Sequence, residues 1–217
     1  MLIKKNRVMK QTVTILIIIA VTALSCSNVI KRNENMENEN KRYEIATFGS
    51  GCFWCSEAIF ERVKGVTRVY AGYAGGDEPH PDYNLVKSGG TEYAEVVQIY
   101  FDPEIVSYRE LLEIFWKTHD PTMVDRQGAD IGRQYRSVIF YHNQKQKETA
   151  EHFKSELEKA QIWTKPIVTE ITPLKNFYKA EKYHQNYYKE HPNEGYCRFV
   201  ITPKIEKFEK IFKDKVK

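Results

Sequence analysis

Tyr43-Glu44-Ile45-Ala46-Thr47-Phe48-Gly49-Ser50-Gly51-Cys52-Phe53-Trp54-Cys55 reads as a short β-prone run stopped by a glycine-rich turn, with a helix beginning at the first of two cysteines. The helix continues to Arg62, placing Phe53, Ala58 and Phe60 within it. A thiol therefore sits at the hinge of a strand, tight turn, helix unit. The unpaired N–H groups at a helix start favour a thiolate there, which makes Cys52 a nucleophile. Phe53 and Trp54 beside it offer a water-poor wall for a small apolar group.

The same alternation continues downstream. Val66 to Tyr73 predicts a strand and Ala74 to Pro81 a Gly/Pro loop. Glu92 to Phe101 contains the period-two set Val97, Ile99, Phe101 and is stopped by Asp102-Pro103. Ser107 to Lys117 predicts a helix carrying Leu111, Leu112 and Phe115, with Ser107 and Glu110 spaced as a capping box. Thr118 to Gln134 is long, polar and glycine-bearing, the mark of a functional loop. Ser137 to Tyr141 and Val168 to Thr172 predict strands, and Asn143 to Ala160 a helix capped by Asn143. Ala180 to Lys189 predicts a helix ended by His191-Pro192, Cys197 a turn position, and Pro203 to Phe212 a last helix. Strands with intervening helices give an α/β fold of two or three layers, strand order open.

The chain begins differently. Lys4, Lys5, Arg7 and Lys10 precede an apolar run from Val13 through Ala23, the n-region and h-region of an export signal. The run is short for a membrane span, which disfavours an uncleaved anchor helix. Ala23-Leu24-Ser25-Cys26 resembles the lipobox of bacterial lipoproteins, making residues 1–25 a signal peptide and Cys26 the acylated N-terminus of an exported, membrane-anchored envelope protein. Ser27 to Lys41 is rich in Asn, Glu and Lys, so residues 26–41 read as a lipidated flexible tether. Residues 42–217 are enough for one substantial core and form one domain.

The 33 basic and 29 acidic residues give +4 overall, and loss of the signal would bring the mature chain close to neutral. Lys and Glu alternate along Lys145 to Lys159 as on a solvated helix face, so nucleic acid is excluded as a partner. His80, His119, His142, His152, His184 and His191 lack the spacing of a zinc site, and no metal or bound cofactor is expected. With Cys26 assigned to lipid, Cys52, Cys55 and Cys197 are too few to staple an exported domain and odd in number. That count favours redox chemistry. Nothing requires an oligomer, and a monomer is expected.

An ordered set of motifs runs through the domain: Gly51-Cys52-Phe53-Trp54 with Glu57-Ala58-Phe60, Gly72-Tyr73-Ala74-Gly75-Gly76, Pro81-Asp82-Tyr83, Ala94-Glu95-Val96, His119-Asp120-Pro121-Thr122, Gly128 to Ser137, and Gly195-Tyr196-Cys197. The set resembles the peptide methionine sulfoxide reductases of the A type. The resemblance implies a two-layer sandwich with a mixed sheet and a ferredoxin-like core. It also implies reduction of the S epimer of methionine sulfoxide, in proteins and free, through a Cys sulfenic acid. On it, Cys52 is the nucleophile, Glu95 the proton donor, and Tyr83, Tyr135 and Asp130 the cluster at the sulfoxide oxygen. Phe53 and Trp54 take the substrate methyl, and Cys197, in a flexible C-terminal portion, is the resolving thiol. The partners implied are oxidised proteins or peptides and an external thioredoxin-like dithiol reductant of the envelope.

Cys55 and Glu92-Tyr93 depart from the pattern, where glycine and Gly-His are common. Cys55 is either an auxiliary thiol that lowers the Cys52 pKa or resolves its oxidised form, or a small buried residue without a role in turnover. The C-x-x-C spacing also admits an envelope thiol-disulfide oxidoreductase using Cys52 and Cys55, and a tethered binding module with incidental cysteines remains a third reading. Singly, Phe53, Trp54, Tyr83 and Tyr135 would be ordinary core or half-buried aromatics and Glu95 a strand residue. Their joint presence carries the assignment.

Overall fold

The computed structural model describes residues 43–217, so the export signal, Cys26 and the tether lie outside the described residues. Strand β1 (Glu44–Ser50) leads through Gly51 into helix α1 (Phe53–Phe60), then β2 (Val66–Ala74), α2 (Tyr83–Lys87), β3 (Ala94–Phe101) and α3 (Tyr108–Thr118). The long loop folds part of itself into a small hairpin, β4 (Arg126–Gln127) with β5 (Asp130–Ile131). There follow β6 (Ser137–Tyr141), α4 (Gln144–Lys159), β7 (Glu170–Pro173), β8 (Tyr178–Lys179), α5 (Tyr187–Glu190) and α6 (Thr202–Ile211). Among the described residues no helix is long and apolar enough to cross a membrane.

Six strands form one sheet in the order β7-β6-β1-β3-β2-β8. The pairing is antiparallel except between β6 and β7, which makes the sheet mixed. On β3 the period of two sends Val97, Ile99 and Phe101 to the face carrying the main core, and Glu95 shares their parity. Phe48 of β1 joins that core, its ring centroid 5.1 Å from Phe115 of α3 and 5.7 Å from Phe60 of α1. Ala94, Val96, Val138 and Phe140 form a smaller cluster of alternate parity, capped by Leu174 and Phe177. The result is the expected two-layer arrangement, with α1 buried along nearly its whole surface.

Local signals read from the sequence are present: the reciprocal Ser107 and Glu110 capping box, the Asn143 cap accepting from Gln146 N–H, and Pro203 in the first turn of α6. The segment from Ala180 to Lys189 is not one helix. A 3-10 turn at Lys182–His184 and the short α5 are separated at Asn186, which adopts a left-handed φ of 56° and cannot continue a right-handed helix. Cys197 does not lie in a flexible turn either. It begins a π-helical turn, Cys197–Ile201, that runs into α6, and its side chain is fully buried.

Candidate active site

Gly51 makes the site's geometry. Its φ of +95° is a left-handed conformation that suits glycine, and a Cβ there would stand 2.6 Å from Cβ of Gln127. The backbone of β1 thus passes directly against the hairpin that carries Asp130, since Gln127 and Asp130 are ladder partners. Cys52 follows as the N-cap of α1. Cys52, Phe53, Trp54, Tyr83, Glu95, Asp130, Tyr135 and Tyr196 line a single cavity of about 160 Å³. Seven of these eight are residues singled out from the sequence, and they come from five separate segments.

Glu95 is held by the first turn of α1, where the Phe53 N–H donates to Oε2 at 3.1 Å. In the β2–β3 ladder it lies opposite Tyr73. Burial raises its pKa to about 8, against the Phe53 hydrogen bond, with the charges of Asp130 and Cys55 pushing the same way as burial. Glu95 is therefore a carboxylic acid at neutral pH. Burial also raises the phenols of Tyr83 and Tyr135, reinforced by Glu95 and Cys52, so both present O–H donors to the cavity. Tyr135 closes a 3-10 turn (Arg133–Tyr135) pinned by Arg136, whose guanidinium donates to Glu92 O at 2.9 Å and Glu170 Oε2 at 3.2 Å.

The helix-start expectation of a resting Cys52 thiolate is not met. Burial, then the hydrogen bond to Cys55, then the nearby Glu95 all push the Cys52 pKa well up. A two-turn helix start is outweighed by removal of the thiol from water. The hydrogen bond between the two thiols raises Cys52 and lowers Cys55. The hydrogen bond from Cys52 brings the Cys55 pKa down to about 7 against its burial, with Lys204 assisting. Tyr196 touches both cysteines and donates to Asp130 Oδ2 at 2.6 Å, its O–H standing 3.9 Å from Cys55 Sγ. Cys197 lines no part of the cavity; its thiol is raised by burial and next by Cys55.

Trp54 closes the apolar side. Its ring stacks on Tyr187 with centroids 3.6 Å apart and planes 6° from parallel, and its N–H donates to His184 Nδ1 at 3.1 Å. Tyr196, His184 and Tyr187 were not singled out as site residues. Tyr196 stood in a quoted motif beside Cys197, whereas the helical reading of Ala180 to Lys189 hid the run His184 to Tyr187. Glu92 and Tyr93 line no part of the cavity: Glu92 pairs with Arg133 at 2.6 Å, and the buried Tyr93 donates to Glu78 O. His119 is structural, bridging Phe115 O and Ser137 Oγ, and burial lowers its pKa to about 4. Among the described residues no group of three or more His, Cys, Asp or Glu is placed to hold a metal.

The family model for peptide methionine sulfoxide reductase matches residues 44–216. The chain is 54% identical over 174 residues to peptide methionine sulfoxide reductase MsrA of Saccharolobus solfataricus, covering 80% of this chain and 97% of that protein. It is 49% identical over 174 residues to the MsrA of Deinococcus radiodurans, covering 80% and 84% respectively. Among solved structures, reduced Mxr1 of Saccharomyces cerevisiae aligns with a TM-score of 0.66 at 35% identity, over 73% of this chain and 91% of that one. Methionine sulfoxide reductase A of Corynebacterium diphtheriae gives 0.64 at 36% identity, over 73% and 79%. With its model matched over nearly all the described residues, the chain belongs to the peptide methionine sulfoxide reductase family.

Proposed function

We propose that this protein reduces the S epimer of methionine sulfoxide, in oxidised proteins and peptides and as the free amino acid, with Cys52 and Glu95 as its reacting groups. The observation that carries the proposal is one cavity holding a buried thiol, a protonated carboxyl and two neutral phenols. The sulfoxide methyl enters against Phe53 and Trp54, and Tyr83 and Tyr135 donate to its oxygen. The Cys52 sulfur bonds to the sulfoxide sulfur as the S–O bond breaks. The oxygen leaves as water, taking the proton of Glu95 and that of the Cys52 thiol, and leaves a sulfonium paired with the Glu95 carboxylate. Water then attacks the Cys52 sulfur, Glu95 recovers a proton, and methionine departs with the S–S electron pair. Cys52 is left as a sulfenic acid and Glu95 is ready again.

The first thiol to reach that sulfenic acid is Cys55. It lies one helical turn from Cys52 and is already hydrogen-bonded to it, so its sulfur bonds to that of Cys52–OH as the S–O bond breaks, and the oxygen leaves as water with the Cys55 thiol proton. Cys197 is next in line, its electrostatic neighbour being Cys55, and a disulfide reaching Cys197 exposes the pair to a thioredoxin-like dithiol donor. Trapping tests the sulfenic acid from which this order starts. The Cys55→Ser/Cys197→Ser protein, treated with a methionine sulfoxide peptide and dimedone, should carry one dimedone adduct on Cys52. An unmodified Cys52 after peptide reduction contradicts the chemistry.

Residues 1–25 act as an export signal, Cys26 carries the lipid and residues 26–41 tether the enzyme domain outside the cytoplasm, where the reductant is an envelope dithiol protein. The lipobox-like Ala23-Leu24-Ser25-Cys26 supports this placement. A mature N-terminal peptide bearing diacylglycerol on Cys26 is the expected mass-spectrometric result; an intact Met1 N-terminus contradicts it.

A further inference from the structure

The carboxylate of Glu181 lines no part of the cavity, yet it meets one residue that does, Tyr83, and two that pack behind Phe53, Tyr73 and His184. Its Oε1 accepts the N–H of Tyr83, the first residue of α2, at 2.8 Å. Its Oε2 accepts the Tyr73 hydroxyl at 3.0 Å, opposite Glu95 in the sheet, and lies 3.8 Å from His184 Nε2. An indole N–H only donates, so the 3.1 Å contact from Trp54 requires a lone pair on His184 Nδ1. The neutral ring must then carry its hydrogen on Nε2. That atom is buried without a hydrogen-bond partner, and the charge facing it is Glu181. Burial opposes ionisation of Glu181, but the donors from Tyr83 and Tyr73 outweigh it, and burial lowers the His184 pKa.

We propose that Glu181 is a positioning residue that fixes the Nε2–H tautomer of His184, and through it the Trp54 wall, while anchoring Tyr83. This rests on the proposed reductase activity for its consequence, though not for its tautomer. With hydrogen on Nδ1, His184 would meet the Trp54 N–H donor to donor. The indole would turn from its stack on Tyr187 and the methyl pocket would loosen. A glutamine at 181 brings this about without a change of size: one carboxamide oxygen cannot serve every donor, and an NH₂ toward His184 favours the wrong tautomer. Pocket selectivity for methyl over ethyl should fall with it.

Imidazole ¹⁵N NMR of the wild-type protein should show His184 protonated on Nε2 and bare on Nδ1, with the Trp54 indole proton shifted downfield; protonation on Nδ1 overturns the proposal without any variant. Glu181→Gln should move His184 toward the Nδ1–H form and raise KM for the methyl sulfoxide about tenfold, with a smaller fall in kcat. It should also narrow the methyl-to-ethyl kcat/KM ratio about fivefold. That narrowing should vanish when Trp54→Phe is already present, because Glu181 acts through the indole. An unchanged tautomer and ratio in folded Glu181→Gln overturn it too. A wild-type protein inactive on either epimer refutes the reductase reading instead, and the NMR result stands apart from that outcome.

Discussion

The backbone N–H of Phe53 reaches Glu95 Oε2 at 3.1 Å, coupling the residue after Cys52 to the buried acid on β3. Glu95 keeps its proton up to about pH 8. The reacting state proposed here holds two protons, one on Glu95 and one on Cys52. The rate of sulfoxide reduction in a single turnover should therefore be level below about pH 8 and fall about tenfold per unit above it. Glu95→Gln should lower that rate by about 10²- to 10⁴-fold and abolish the alkaline fall. A wild-type rate that climbs through pH 8 would assign the attack to a pre-formed thiolate.

The same shift has a stability consequence of definite sign. Glu95 titrates near 4.5 when unfolded and near 8 when folded, so between those values the unfolded chain has released a proton that the folded chain keeps. Stability from this group is fully present below about pH 4.5 and is lost as pH rises through about 8. Glu95→Gln, which cannot ionise, should melt higher than wild type at pH 8 and show a smaller advantage at pH 5. Thermal melts at both values check this, and an equal or lower melting temperature at pH 8 contradicts it.

Gly51 bears the close approach of β1 to the hairpin holding Asp130. Gly51→Ala meets a positive φ and a Cβ 2.6 Å from Gln127 Cβ, so it should cost about 1–3 kcal/mol of stability. Because Gln127 must shift and Asp130 pairs with it, kcat/KM should drop more than tenfold even where the protein remains folded. Denaturant titration beside steady-state kinetics separates the two effects. A folded, fully active Gly51→Ala protein would show that the approach is not needed.

Ser107→Ala supplies the contrasting case, far from the cavity. Loss of the reciprocal cap on α3 should cost about 1 kcal/mol and lower Tm by about 2–4 °C. Turnover should be unaffected. A change in kcat/KM at a temperature where the variant is folded would reveal coupling between α3 and the site.

Much of this was legible in local pattern, for physical reasons. The alternation through Val97, Ile99 and Phe101 gives strand β3, and the glycines around Ser50 give the hinge that presents Cys52. Glu95, Tyr83, Tyr135 and Asp130 were reached only through family resemblance, because no local rule brings four separate elements to one cavity. Two local rules failed where the surroundings won. The helix start at Cys52 argues for a thiolate, but burial of the thiol behind Tyr196 and Glu95 sets its protonation. The polar and aromatic spacing of Ala180 to Lys189 suits a helix, but left-handed Asn186 breaks it, which turns Tyr187 onto Trp54 and leaves His184 beneath. Cys197 likewise reads as mobile beside Asn193-Glu194-Gly195, yet the π-helical turn packs it into the core.

The central claim is the stereospecific reduction of a sulfoxide by Cys52 with Glu95 as acid. The direct measurement is methionine formed from separated S and R epimers of a peptidyl methionine sulfoxide, with dithiothreitol as reductant, for wild type, Cys52→Ser and Glu95→Gln. The account predicts conversion of the S epimer alone, abolished in Cys52→Ser and slowed at least a hundredfold in Glu95→Gln. Conversion of neither epimer, or of S at an undiminished rate without Cys52, would contradict it.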